Sequence, residues 1–429
     1  IAALRKRFQW VSAQSFSFRY FLATIGTSNL AMGLHKVLYP WLVVGVLNES
    51  PSRLGLATMA LLLPNLLFIL PGGVVADRRH RGSWLSFLYL LYLVPLGILL
   101  VAMVYGQLTF SLLLMFGVSF GTILAFIQPA RESLLGYAPP EVMHQAVAKM
   151  MVVQFVAQSV GFIVAGQLDY ISLPQLLGLQ MLIFLASSLL MKRCHPLPQL
   201  SSVEEAAQAE KSNKSAAQTW LELREGLNLF RNDKSLLHLL FIVFATGFLA
   251  FGVYLVGMPL IARELYNGGA SLYAMLQVVF SLGIISTNFG VMNKVKTFGR
   301  PGRLMVISFF VRGTLVALIA MVPPLWLLFP LVYIWGMASG LSMTLGRTIL
   351  HNQVSHALRS RAASVYQLCL FGGAPLGAWV CGVTIENLGL GTAFVAIASI
   401  TLSVSVVTII WSPLWHINGH VDKAENANS

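Results

Sequence analysis

Apolar stretches long enough to cross a lipid bilayer recur along the whole chain, each closed by a short polar break. They fall at 18–47, 54–76, 84–105, 108–130, 146–168, 173–191, 236–262, 272–292, 304–322, 325–350, 362–385 and 391–411. A helix rises about 1.5 Å per residue, so roughly 20 residues cover the hydrocarbon core. Backbone polar groups in lipid must be satisfied inside the protein, and these runs are continuous rather than alternating at period two. That selects helices over a closed barrel. The expectation is an all-α membrane protein of about twelve transmembrane helices.

Composition closes the soluble alternative. Of 429 residues, 57% are hydrophobic and 10% charged, with a mean hydropathy of +0.75, against about 25% charged in soluble domains. The net charge of +13 does not point to nucleic acid, because the Lys and Arg sit in short clusters between apolar runs. Cys194, Cys369 and Cys381 are too few and too scattered for a disulfide framework or a metal site. Residues 1–17 are basic and amphipathic, without the apolar core and small-residue cleavage site of a signal peptide.

The breaks are short except for 192–235, which divides the runs into two sets of six. The expected organisation is a basic N-terminal segment (1–17), a six-helix bundle (18–193), a linker (194–234), a second six-helix bundle (235–414) and a polar tail (415–429). With the N-terminus in the cytoplasm, nearly all loop Lys and Arg fall inside and only Arg53 and Arg263 outside. That asymmetry predicts both termini in the cytoplasm. The halves also repeat: Pro40 corresponds to Pro259 and Gly117 to Gly336 at an offset of 219, and Gly73 to Gly290 at 217. Such parallel repeats are related by an axis along the membrane normal. Within the linker, 201–215 reads as a flexible polar stretch. Residues 216–231 read as an interfacial helix with Trp220, Leu223, Leu227 and Phe230 on one face.

Between the second and third runs stands Gly73-Val-Val-Ala-Asp77-Arg78-Arg79-His80-Arg81, a knot of charge directly against apolar sequence. With its position, the long central linker and the two-half repeat, this stretch resembles the loop signature of the major facilitator superfamily. Pro40-Trp41-Leu42-Val43, Gln128-Pro129-Ala130-Arg131-Glu132, and Arg347 followed by Arg359-Ser360-Arg361-Ala362-Ala363-Ser364 resemble its macrolide-efflux and enterobactin-exporter branch. There are departures: Gly82 stands where a second basic residue is common, and Lys294 where the second-half loop would carry an acid. The antiporter-associated Gly-Pro pattern is reduced to Gly161-Phe162 with Gly166 in the fifth run, while the eleventh keeps Gly372-Gly373-Ala374-Pro375-Leu376-Gly377.

The resemblance implies a gate. Gly73, Asp77, Arg78, Arg81, Arg131, Glu132, Arg347 and Arg361 are its expected members, with Asp77 facing the N-terminus of the eleventh helix. A carboxylate at a helix N-terminus is stabilised by about 0.3–1 kcal/mol when exposed and about 2 when partly buried. The bland alternative is a solvated carboxylate among positive-inside arginines.

Substrate contacts are expected from polar residues inside the runs. Lys36, beside His35, stands out because Lys at a helix centre costs about 2.5–3.5 kcal/mol on insertion scales. A snorkelling Lys36 is the other reading. Asn29, Gly33 and Lys36 share a helical face, so Asn29 is expected beside Lys36. Further candidates are Gln128, Gln154, Gln158, Tyr254, Gln277, Ser281, Asn288, Tyr366 and Gln367, although such residues more often make an interhelical hydrogen bond than a ligand contact. Arg312 is expected to reach the cytoplasmic interface rather than the cargo. No Asp or Glu occupies the middle of a run, which describes a neutral-to-basic cavity. His35, with an ordinary pKa near 6.5, is the candidate carrier of a coupling proton.

The expected protein is therefore a multi-pass secondary transporter of the bacterial inner membrane, monomeric and without a cofactor, exporting a small amphipathic or anionic molecule such as a siderophore or drug. Protons are the candidate coupling ion. Import of an anionic metabolite or ferric siderophore, and a transport-inactive sensor or scaffold, stand as alternatives. No nucleophile, base and metal-ligand set recommends an enzyme.

Overall fold

The computed structural model describes residues 15–78, 81–135, 140–194, 224–231, 233–292, 300–354 and 358–416. The first helix, Ser15–Trp41, runs on through a π-helical turn, Leu42–Val46. The second is Pro51–Arg78. The third comes in two pieces, Arg81–Leu91 and Leu93–Val104, followed by Phe110–Leu135, Pro140–Ala165 and Leu173–Lys192. The seventh, Lys234–Leu265, includes three π-helical turns. Ala270–Met292, Pro301–Ala320, Leu325–Gln353, Arg359–Leu388 and Leu390–Trp411 complete the set. Among the described residues there is no strand, so the all-α expectation holds.

Eleven of these helices are long and apolar enough to cross a membrane. The exception is the first, whose apolar run is diluted by Arg19, Thr24, Thr27, Ser28, Asn29 and Lys36. The third helix was expected unbroken and is interrupted at Tyr92. Pro95 explains this: it has no N–H, and its ring crowds the carbonyl four residues earlier.

The chain divides into two compact units, 1–47 with 60–215 and 48–59 with 216–429. The first turns of the second helix thus belong with the second unit.

In the first unit the first helix packs most extensively on the fifth. Gly33 lies against the Gln158 carbonyl, and a Cβ there would stand 2.9 Å from the Gly161 Cα. On the fourth helix, Gly117 and Gly121 admit the backbone of Leu61 in the second. The sixth helix is stitched to its neighbours by hydroxyls: Ser187 Oγ donates to Thr27 Oγ1 at 2.8 Å, and Ser86 and Ser188 pair at 2.9 Å. Small residues and hydroxyls at helix crossings are what association in lipid requires, because burial against lipid tails supplies no drive.

The second unit uses the same devices. Gly247 and Gly252 of the seventh helix meet the backbone of Leu370 and Gly377 in the eleventh, and Gly373 and Gly377 meet Phe244 and Phe248 in return. Gly336 and Gly340 of the tenth abut Phe280, Gly283 and Ile284 of the eighth. Gly382 accepts the backbone of Pro51, and Gly55 that of Ala378. The Ser52 N–H, at the start of the second helix, donates to Glu386 Oε2 at 2.9 Å.

Backbone shape follows the repeat. Asn48 (φ 53°) and Asn267 (φ 47°) both take the left-handed conformation after the first helix of their half. They stand 219 residues apart, the offset of Pro40 and Pro259. The π-helical turns Leu42–Val46 and Ile261–Leu265 share that offset. Asn tolerates the left-handed region because its short amide can hydrogen-bond locally.

Part of the linker is helical, at 224–231. Phe230 is fully buried in the core of the second unit, whereas Leu227 is exposed. Gly226 lies against the Arg361 carbonyl, 3.0 Å from where its Cβ would be. Trp220, Leu223 and the 201–215 stretch lie outside the described residues. At helix ends, Tyr105, Tyr170, Trp326 and Trp411 are each at least 74% exposed, placed as interfacial aromatics are.

Candidate functional site

The first unit encloses an aromatic column. His35 stacks on Phe120 with ring centroids 3.8 Å apart and on Tyr39 at 5.4 Å. Phe120 stacks in turn on Tyr92 (4.2 Å), and Tyr92 packs against Phe184 of the sixth helix (4.6 Å). The break at Tyr92 places this ring on the column. Several polar tips here are buried without a hydrogen-bond partner: His35 Nε2, the Tyr92 hydroxyl, and both amide atoms of Gln180, one turn before Phe184. A buried polar group left unsatisfied costs about 1–3 kcal/mol, so each is poised for a partner.

Lys36 is the one exposed residue in the run 33–40; its neighbours on both sides are buried. Arg131, half-buried on the fourth helix with its Nε unpartnered, is near enough for the two cations to repel. The pair therefore makes a basic centre, with Lys36 next in sequence to His35 of the column.

The other first-unit candidates take different places. Asn29 is buried and its Nδ2 donates back to the Ile25 carbonyl at 2.8 Å. Gly33, on the same face, lies in the crossing with the fifth helix. Gln158 is buried at that crossing and Gln154 is half-buried one turn earlier; Gln128 is half-buried on the fourth helix.

In the second unit, Tyr254 and Gln277 are brought together, the Tyr254 hydroxyl donating to Gln277 Oε1 at 2.5 Å. Gln277 Nε2 donates to the Tyr273 hydroxyl at 2.9 Å. Tyr254 also stacks on Phe280 at 4.4 Å, with Trp335 edge-on to both. Ser281 is buried nearby on the eighth helix, and Asn288 accepts from Thr344 Oγ1 at 2.9 Å. Tyr366 is buried with its hydroxyl against Gly346, Gln367 is half-buried and Arg347 exposed.

Arg312 departs from expectation. It does not snorkel to an interface: it is 3% exposed, and Nη2 donates to Thr246 Oγ1 at 3.2 Å and Ser342 Oγ at 3.3 Å. The seventh and tenth helices offer hydroxyls at its level, and the side chain turns to them.

Of the gate residues, Arg361 forms an ion pair with Glu225 of the linker helix. Gly73, Asp77 and Arg78 fall in the last turns of the second helix and Arg81 opens the third; their side chains, and that of Glu132, lie outside the described residues, as does Lys294. Sequence reasoning missed Tyr92, Gln180, Thr246 and Ser342. Gln180 was findable as one of the two long amides in its apolar run, Gln175 at the run's start being the other.

Among the described residues, twelve long helices in two glycine-crossed units on one repeat, with polar groups gathered inside each, define a secondary transporter of the major facilitator class. More particularly, the chain belongs to the transmembrane secretion effector family of that class, which matches residues 9–427. Solved structures share the fold. The nucleoside transporter NupG is 12% identical with a TM-score of 0.72, over 92% of this chain and 98% of its own. A bacterial homologue of the human lysosomal transporter Spinster is 15% identical (TM-score 0.67; 94% and 96%). The xylose transporter XylE from E. coli is 13% identical (TM-score 0.67; 92% and 96%). No curated protein matches by sequence. The family and these structures are transporters, not enzymes.

Proposed function

We propose that the chain exports a small amphipathic anion from the cytoplasm by alternating access, in the manner of the macrolide-efflux and enterobactin-exporter branch that its motifs resemble. The observation that carries this reading is the basic centre of Lys36 and Arg131 beside the column of His35, Phe120, Tyr92 and Phe184. Such a centre favours a ligand with one negative group and a flat apolar body, as in an aryl carboxylate or catecholate siderophore. Two neighbouring cations repel a cationic drug. The family's description as a secretion effector supports the outward direction, and the Lys/Arg asymmetry of the loops supports an inner-membrane protein with both termini in the cytoplasm. His35 is the proposed proton carrier.

Flux in proteoliposomes tests this. With an imposed pH gradient, aryl carboxylates and siderophores are expected to move and cationic dyes not, and Lys36→Gln is expected to cut flux at least tenfold. Transport of cationic dyes with Lys36→Gln unimpaired would overturn the reading; uphill uptake into right-side-out vesicles would reverse its direction.

A further inference from the structure

The guanidinium of Arg312 is buried near the middle of the ninth helix. Its hydrogen-bond partners there are two neutral hydroxyls, Thr246 and Ser342, its Cζ lies 5.0 Å over the Phe309 ring, and no carboxylate pairs with it among the described residues. Nη2 uses its hydrogens on those hydroxyls, and Nε is buried with no acceptor. The hydroxyls themselves are unusual. Thr24, Thr401 and Ser405 each donate back to the carbonyl one turn earlier, as hydroxyls in apolar helices commonly do. Thr246 and Ser342 accept from Arg312 and donate to nothing among the described residues.

The local backbone supports the arrangement. Thr246 opens the π-helical turn Thr246–Ala250, where the ladder of the seventh helix shifts register; such turns occur often at functional sites. The Tyr366 hydroxyl, against Gly346, is within electrostatic reach of Arg312. A positive centre, an unused N–H and two uncommitted hydroxyl hydrogens are thus gathered in one place.

We propose that Arg312, Thr246 and Ser342 form a binding site for a compact monoanion inside the second unit, either a free halide or the carboxylate group of a larger molecule. Unused donors around a buried cation that has no carboxylate partner among the described residues are well satisfied by an anion. The site lies within one unit and is read by binding, so it stands or falls apart from the export reading.

The test uses the full chain purified into nanodiscs. Thermal unfolding is followed as chloride or acetate replaces isethionate at constant ionic strength, with radiolabelled chloride binding alongside. A saturable rise in the unfolding midpoint with chloride assigns a free halide, and one with acetate alone assigns a carboxylate group; either supports the site. Arg312→Met is expected to abolish the rise, and Ser342→Ala to weaken the midpoint response at least fivefold in apparent Kd. Should Arg312→Met fail to fold, Ser342→Ala decides: an unchanged apparent Kd overturns the proposal. So does a wild-type protein that responds alike to all three anions, or a response kept in Arg312→Met.

Discussion

Gly33 and Gly161 meet backbone to backbone, with no room for a side chain between the first and fifth helices. Gly161→Leu is therefore expected to force the helices apart, at about 1–3 kcal/mol by the usual cost of overpacking. Thermal unfolding in detergent reads the effect. Gly178→Ala on the sixth helix, where an added Cβ meets nothing within 4 Å, is expected to unfold at the wild-type temperature; an equal loss in both variants would show that the crossing is loose.

Asp77 is the penultimate residue of the second helix, at the start of the charged stretch of sequence. As a proposed cytoplasmic latch it acts on transport and not on insertion. Asp77→Asn is expected to reach the membrane at the wild-type level and to lose at least nine-tenths of its turnover. Wild-type turnover in reconstituted vesicles would remove the latch.

Gly226 and Glu225 hold the linker helix to the start of the eleventh, Gly226 by close approach and Glu225 through Arg361. The pair is half-exposed, so Glu225→Gln is expected to cost no more than about 1 kcal/mol. Gly226→Leu is the disruptive change, since its side chain would run into Val365. Hydrogen exchange over 224–231 is expected to accelerate in Gly226→Leu and to stay near wild type in Glu225→Gln.

Cys194 lies just past the sixth helix and is 2% exposed. Burial pushes its thiol up to about 11, outweighing a hydrogen bond from the Phe21 backbone that favours the thiolate. A raised pKa means less thiolate at a given pH, on the order of a thousandth of the population at pH 8. Maleimide at pH 8 is expected to leave Cys194 unmodified in the folded protein and to label it after denaturation, as read by peptide mass. Fast labelling of the native protein would contradict the burial.

Much of the fold was legible because lipid leaves the chain few choices. Apolar runs bounded by charge became helices, and the Pro40–Pro259 offset reappeared in the left-handed Asn48 and Asn267. The fracture at Tyr92 was not legible from Pro95 alone, since Pro40, Pro129, Pro330 and Pro375 sit inside unbroken helices. Sequence was weaker on which way a polar side chain turns. Asn29 and Lys36 share a helical face, yet one bonds to its own backbone and the other is exposed, because the neighbouring helix decides and no period encodes it. Arg312 is the sharper case: its orientation depends on Thr246 and Ser342, 66 and 30 residues away. The resemblance named the charged loop, but no periodicity within the loop fixes its side chains.

Trp326 opens the tenth helix and Trp411 closes the twelfth, both largely exposed. Three successive crossings separate them, so the two indoles come out on opposite faces of the membrane. Together they act as a draught mark painted on the hull: they set the depth at which the protein floats. Where a bilayer is thinner or thicker than that mark, the mismatch is met by tilt or by stretched and compressed lipid, at a fraction of a kcal/mol per Å. Host membranes of different thickness should thus change the lipid around this protein before they change the protein.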